Sequence, residues 1–205
     1  MPAVFAAHFK LGLTAIASAA SGMLFFNQER LFGVAALTLE QLGILTKLLL
    51  PKMVAAQGAF LLGVHFHRMV VRMSEADRSA LFARAKYYER FAVPIVIFTV
   101  AAGGYLAVHL NMLIYGIATE YSTGLAVTVL ALIFFFNPYS IMLQATNRYS
   151  SLAIANSVAV TGFIALVGMA GPHDPGVAVL SALSACLWFL IVRIFVARSF
   201  SASRG

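Results

Sequence analysis

The sequence predicts an all-α, polytopic integral membrane helix bundle with about six transmembrane helices and one cytoplasmic amphipathic helix. Of its 205 residues, 61% are hydrophobic and only 10% are charged, whereas a soluble domain carries about a quarter of its residues charged. The mean hydropathy is +0.91, and a soluble core of this size could not hide so much apolar surface. The whole chain, residues 1–205, is therefore predicted to form a single transmembrane domain.

Several apolar runs have the length of one membrane crossing, since a helix needs about 20 residues to pass through the hydrocarbon core. Each of these runs is bounded by polar, charged, proline or glycine residues. They cover residues 11–27, 91–115, 121–145, 150–170 and 175–197.

The stretch 31–72 is harder to interpret, because as one straight helix it would be about 63 Å long. Pro51 could divide it into two crossings, since proline removes an interior hydrogen bond of a helix. Alternatively it makes one crossing, kinked near Pro51 or Gly58, with ends that leave the hydrocarbon. Ionisable groups at mid-bilayer are costly, which favours one crossing and six in total. The ionisable residues concerned are Glu40, Lys47 and Lys52.

Basic residues cluster between the second and third predicted spans, and cytoplasmic loops of membrane proteins retain Lys and Arg. With this linker inside and six crossings, both termini are expected in the cytoplasm. Seven crossings would place the N-terminus outside and would fit the charge bias equally well. The cluster consists of Arg68, Arg72, Arg78, Arg84, Lys86 and Arg90.

The linker 73–90 has a helical pattern of its own. Ser74 with Asp77 three residues later resembles a capping box, and apolar residues at helical spacing form a stripe. The linker is therefore predicted to be an amphipathic helix that anchors the protein at the membrane surface. The stripe contains Leu81, Phe82, Ala85 and Tyr88.

The sequence gives no indication of an enzyme, a cofactor or a metal site. It has no Gly-rich phosphate loop, no His-Glu-x-x-His and no nucleophile elbow. His65 and His67 point to different sides of a helix and cannot share one metal, and the single Cys186 excludes an internal disulfide. The net charge of +7 is attributed to loops beside an anionic leaflet, so nucleic acid is not an expected partner.

Polar residues within the predicted spans are the candidates for a binding cavity. Glu40 and Lys47 are seven residues apart and share a helix face, whereas Lys52 is turned away from Lys47 by more than about a hundred degrees. This arrangement suits the wall of a water-filled cavity. Alternatively, Glu40 and Lys47 extend to the outer headgroups. Asn137, which precedes a proline, predicts a polar kink that lines the cavity or packs against a neighbouring helix.

The order of several short motifs along the chain resembles one family. In residues 27–33, an acidic residue and an Arg precede a Gly. This order resembles the outer turn that follows the first helix in that family. The charged linker followed by Pro94 resembles its cytoplasmic loop, and later turns resemble its short connections. These later turns are Leu113–Gly116 with Tyr121, Asn147–Tyr149 and Gly171–Ala178. The chain is similar to one six-helix half, the C-terminal one, of the multidrug/oligosaccharidyl-lipid/polysaccharide flippase superfamily, in its polysaccharide-biosynthesis and O-antigen branch.

The resemblance implies a component or half of a flippase that moves a lipid-linked oligosaccharide across a bacterial cytoplasmic membrane by alternating access. It implies membrane lipid and a lipid-linked glycan as partners, with a second half, a homo-oligomer or other membrane subunits. Such transporters have about twice this length, and this chain has no internal repeat. A cationic cavity for the lipid diphosphate is expected. Its candidate residues are Lys47, Lys52, Arg30 at the outer rim, Glu40 and Asn137.

The alternative function is a non-transporting scaffold or accessory subunit of a larger membrane complex. Such a subunit would pack against its partners through faces of small residues, which allow helix backbones to approach closely. The faces concerned contain Ser18, Ser21 and Gly22, or Gly103 and Gly104.

Overall fold

The computed structural model describes residues 2–135, 137–171 and 174–201. These residues form eight α-helices and no strand, which confirms the all-α prediction. The helices are α1 Pro2–Ala36, α2 Leu39–Leu48, α3 Leu50–Arg72, α4 Glu75–Tyr115, α5 Tyr121–Phe135, α6 Pro138–Ala145, α7 Tyr149–Ala170 and α8 Asp174–Ser201.

Six segments of the described chain are long and apolar enough to cross a membrane, as the sequence predicts. They match the requirement of about 20 apolar residues for each crossing. The fourth segment contains both α5 and α6. The six are His8–Ala36, Leu50–Arg72, Phe91–Tyr115, Tyr121–Ala145, Tyr149–Ala170 and Gly176–Ser199.

The stretch 31–72 is not one kinked helix, so that prediction is wrong. Helix α1 continues to Ala36, and α2 begins after Thr38, whose hydroxyl accepts a hydrogen bond from the Gln41 backbone N–H at 3.3 Å. The Gln41 side chain accepts in return from the Thr38 N–H at 3.0 Å, which completes a capping box. Residues 27–33 therefore lie within α1 and do not form a turn.

Helix α3 begins at Leu50, with Pro51 in its first turn. Proline is tolerated there because its missing N–H would have had no partner within the helix. The second crossing therefore starts at about the position where the sequence predicted a kink. The short helix α2 carries Glu40 and Lys47 ahead of that crossing.

The linker 73–90 is helical, but it is continuous with the third crossing and does not form a separate helix. Ser74 caps α4, its hydroxyl accepting from the Asp77 N–H at 3.2 Å. The part of α4 before Phe91 is about 24 Å long. Leu81 and Phe82 pack against the buried core of the chain, so these two stripe residues face the protein itself; the side chain of Tyr88 lies outside the described residues.

The core of the bundle lies between α5, α7 and α8. Helix α8 packs against both of the others, α1 packs along α7, and α3 and α4 pack along α5. The rings of Phe25 and Trp188 stack with centroids 5.0 Å apart, and Phe134 contacts Phe25. Within the membrane segments of α3 and α4 only 6% of residues are buried, against 39% in α8. The outer faces of α3 and α4 are thus open to lipid or to a partner protein.

Both small-residue faces named for a scaffold are covered within the chain. A Cβ atom on Gly124 of α5 would lie 2.5 Å from the Gly104 carbonyl oxygen of α4, so these two helices are in backbone contact. The Asn156 side chain of α7 donates a hydrogen bond to the Ser18 carbonyl oxygen of α1 at 3.2 Å, and it lies against Gly22. These faces hold the bundle together, as small residues do in membrane helix pairs.

Candidate functional site

An ion pair joins α1 and α3 inside the apolar bundle. The Lys52 Nζ atom lies 2.7 Å and 2.8 Å from the two carboxylate oxygens of Glu29 and 2.9 Å from the Phe26 carbonyl oxygen. These contacts use the three donors of the ammonium group. Lys52 is 4% exposed and Glu29 is 1% exposed. The charges are therefore shielded from lipid and compensate each other.

The Glu29 carboxylate is also held from α8. The Ser181 hydroxyl donates to Glu29 Oε1, and Gln28 Nε2 donates to Ser181 Oγ at 3.1 Å. Gln28 Nε2 also donates to Ser184 Oγ at 3.4 Å, and the Ser184 hydroxyl donates to the Ala159 carbonyl oxygen of α7 at 2.7 Å. A buried polar network thus extends from α3 through α1 to α8 and α7, and it fixes the carboxylate independently of Lys52.

A second buried polar cluster is centred on Asn156. The Trp188 Nε1 atom donates to Asn156 Oδ1 at 2.7 Å, and Asn156 Nδ2 donates to Ser21 Oγ at 3.2 Å. Asn156 therefore connects α7 to α8 and α1. Interhelical hydrogen bonding of this kind is typical of a lone Asn within a membrane span.

A cleft opens beside the ion pair, between α1 and α3. Its lining includes the half-buried Arg30, whose guanidinium donates to the Met53 sulfur. On the inner wall the Lys52 Nζ atom lies 5.0 Å from the centroid of the Phe134 ring, a cation–π geometry. The cleft thus combines two cations with one carboxylate. Polar and apolar side chains complete it, namely Phe26, Asn27, Leu49, Met53, Ala56 and Gln57.

The structure brings together only two of the predicted cavity residues, Lys52 and Arg30. Lys47 is exposed on α2, with its Nζ atom 5.8 Å from the Tyr115 ring centroid, and Glu40 is exposed on the same helix. Asn137 caps α6 by accepting from the Ser140 N–H at 3.3 Å. Lys47, Glu40 and Asn137 therefore do not line the cleft, and the first two fit the alternative in which they extend toward the headgroups.

Glu29, the partner of Lys52, was not among the residues that the sequence singled out for a cavity. The first span was predicted to end at residue 27, which placed Glu29 in an outer turn. The signal that could have found it is an acidic residue within an apolar run that continues to Ala36, since such residues in membrane segments tend to be paired.

Another ion pair lies near the opposite end of the bundle. The Arg193 Nε atom of α8 lies 3.1 Å from each carboxylate oxygen of Glu89 on α4, and the Tyr139 hydroxyl of α6 also donates to Glu89. The side chains of Arg193 and Glu89 are 38% and 28% exposed. This pair is therefore only partly shielded from solvent, unlike Glu29–Lys52.

Within the described residues, no group of three or more His, Cys, Asp or Glu side chains is arranged to hold a metal ion. Comparison with family models, with curated proteins and with solved structures finds no match. The chemistry of the site is that of two cations beside a carboxylate in an apolar surrounding.

Proposed function

We propose that this chain is a component or half of a flippase that moves a lipid-linked oligosaccharide across the membrane by alternating access. The observation that supports this most is the Glu29–Lys52 pair beside a cleft that also contains Arg30. Lys52 lies at the start of the second membrane segment and Glu29 lies toward the end of the first, and burying a charge away from water is costly unless it is paired. Such residues in membrane segments often mark the path of a substrate or ion.

The cations of the cleft fit the diphosphate of a polyprenyl-linked glycan. Arg presents a planar fork of donors that matches phosphate oxygens, and Lys adds a compact charge. Because the cleft lies at the surface of the bundle between two helices, the lipid tail can stay in the bilayer while the headgroup contacts protein. The exposed faces of α3 and α4 are available to a second half or a second copy.

Neutralising the cations of the cleft tests this proposal. In cells that depend on this protein for glycan export, K52Q and R30Q together are expected to lower export by about tenfold or more, equivalent to at least about 1.4 kcal/mol of binding. Export is measured as surface glycan per unit of protein in the membrane. K47Q is the matched control, since Lys47 is exposed on α2, and it is expected to export normally. Normal export by the K52Q/R30Q protein would contradict the proposal.

The scaffold function is the alternative, and the open apolar faces of α3 and α4 favour it. Burial of only 6% of the residues in these segments leaves a large surface that other membrane subunits could cover. Purification in mild detergent separates the two functions. A stoichiometric complex with integral proteins unrelated to glycans, without a glycan defect on deletion, would favour the scaffold.

We place the chain in a bacterial cytoplasmic membrane with both termini inside. The termini themselves, Met1 and 202–205, lie outside the described residues, but six crossings return the chain to the side where it began. The basic residues at the end of α3 and the start of α4 then face the cytoplasm, as the positive-inside rule requires.

Single cysteines test this orientation in a C186A background. Leu39, 89% exposed on α2, and Phe5, 74% exposed near the start of α1, are the positions to replace. A membrane-impermeant maleimide is expected to label L39C and to leave F5C unlabelled in intact cells, and to label both after lysis. Labelling of F5C in intact cells would contradict the proposed orientation and would place the N-terminal end of α1 outside.

A further inference from the structure

The line along which α1 and α3 meet, called the seam here, is held together by polar contacts more than by apolar packing. Helix α1 packs along α7, whereas α3 packs along α5 and α6, and α1 with α3 is not among the closely packed helix pairs. Between the described parts of α1 and α3, the side-chain hydrogen bonds all end on Lys52 or Met53. The seam is thus a place where two helices can separate at the expense of a few contacts.

Glu29 and Lys52 differ in how firmly the bundle holds them. Glu29 keeps the hydroxyl of Ser181 on α8 as a second partner, so its carboxylate remains compensated in part when Lys52 leaves. Lys52 has its ammonium group on a flexible stem of four carbons, and its three hydrogen bonds all go to α1. Lys52 is therefore expected to be the more mobile member of the pair.

Opening the seam in the absence of another anion would leave Lys52 without a counter-charge and Glu29 with only the Ser181 hydroxyl, which is strongly unfavourable. A phosphate group offers Lys52 the same interaction as the carboxylate, because both present anionic oxygens to an N–H donor. Arg30 on the wall of the same cleft supplies a second cation for the phosphate. Exchange of one anion for the other keeps Lys52 compensated at every stage.

We propose that Glu29 and Lys52 close a lateral gate between α1 and α3, and that a phosphate-bearing ligand opens this gate by replacing Glu29 on Lys52. Glu29 acts as an internal competitor of the ligand. The choice of a lipid diphosphate as ligand rests on the proposed function, whereas the gate itself rests on the contacts between α1 and α3.

The gate is tested by the reactivity of a cysteine in the cleft. Ala56, which is half-buried in the cleft lining, is replaced by Cys in a C186A background, and the purified protein is placed in phosphatidylcholine nanodiscs. The rate of labelling by a water-soluble maleimide is measured alone, with inorganic diphosphate, and with a polyprenyl diphosphate in the disc. We expect a rise of about fivefold or more with ligand, which corresponds to about 1 kcal/mol.

The experiments with inorganic diphosphate and with polyprenyl diphosphate distinguish a free phosphate from a lipid headgroup as the ligand. A response to both ligands means that the phosphate alone opens the gate, and a response only to the polyprenyl diphosphate means that a lipid headgroup is required. A labelling rate unchanged by either ligand overturns the proposal.

Two variants test whether the Glu29–Lys52 pair acts as a gate or only stabilises the fold. E29Q removes the competing anion and is expected to lower the diphosphate concentration for half-maximal labelling by about tenfold. E29Q/K52M leaves no charge at the pair, so it is expected to fold even where E29Q does not, and it is expected to show no response to ligand. A ligand response in E29Q/K52M equal to that of the parent overturns the proposal, as does an unchanged half-maximal concentration in folded E29Q.

E89Q is the matched control, because it breaks the ion pair at the opposite end of the bundle. Its labelling rate and ligand response are expected to equal those of the parent, and a change equal to that of E29Q would overturn the proposal. The measurement involves no glycan export. A ligand-responsive gate in a protein without an export phenotype would therefore refute the proposed function and leave the gate standing.

Discussion

Replacing Glu29 with alanine is expected to lower the free energy of unfolding by about 3–5 kcal/mol, because it leaves Lys52 as an unpaired charge in the buried bundle. The loss is measured as a fall in the unfolding temperature of the detergent-solubilised protein, followed by size-exclusion chromatography after heating. Ser181 and Phe26 would still surround the site, but neither supplies a compensating charge.

Two control variants show whether the unpaired charge is the cause. E29Q/K52M removes both charges while keeping similar volumes, and it is expected to recover most of the lost stability, since dry ion pairs can be replaced by neutral groups. E89A breaks the partly exposed pair with Arg193 and is expected to cost about 1 kcal/mol or less. Equal losses in E29A and E89A would contradict this account of the buried pair.

Replacing Gly124 with alanine is expected to destabilise the protein by about 1–3 kcal/mol, because the added methyl group has no space. Its Cβ atom would lie 2.5 Å from the Gly104 carbonyl oxygen and 2.9 Å from the Val108 Cγ2 atom. The first of these contacts is with backbone, so α4 and α5 must move apart. The same thermal measurement reports the effect.

G12A is the matched control for this substitution. Gly12 also lies in a membrane-spanning helix, but a Cβ atom there has no neighbour within 4 Å. Alanine is favoured over glycine in a helix by roughly 0.5–1 kcal/mol, so G12A is expected to be neutral or stabilising. A destabilised G12A, or a stabilised G124A, would show that the close approach of α4 and α5 does not govern the outcome.

The sequence by itself determined the membrane class, the all-α fold and the presence of six apolar segments. These follow from local properties, because a backbone in lipid must satisfy its hydrogen bonds within each segment and because the length of an apolar run is a sum over neighbouring residues. The cap of α4 at Ser74 was predictable for the same reason, since it depends on residue type and local position.

Only the tertiary structure decided which charges meet. Glu29 and Lys52 are 23 residues apart, and their contact depends on the rotation of α1 and α3 about their axes and on their relative height in the bundle. Helix packing sets both quantities, and hydropathy carries no information about either. The break at Leu49, where α2 ends and α3 begins, likewise separated Lys47 from Lys52. The sequence therefore located the charges along the chain, and packing between helices placed one pair in the interior and left the other lysine exposed.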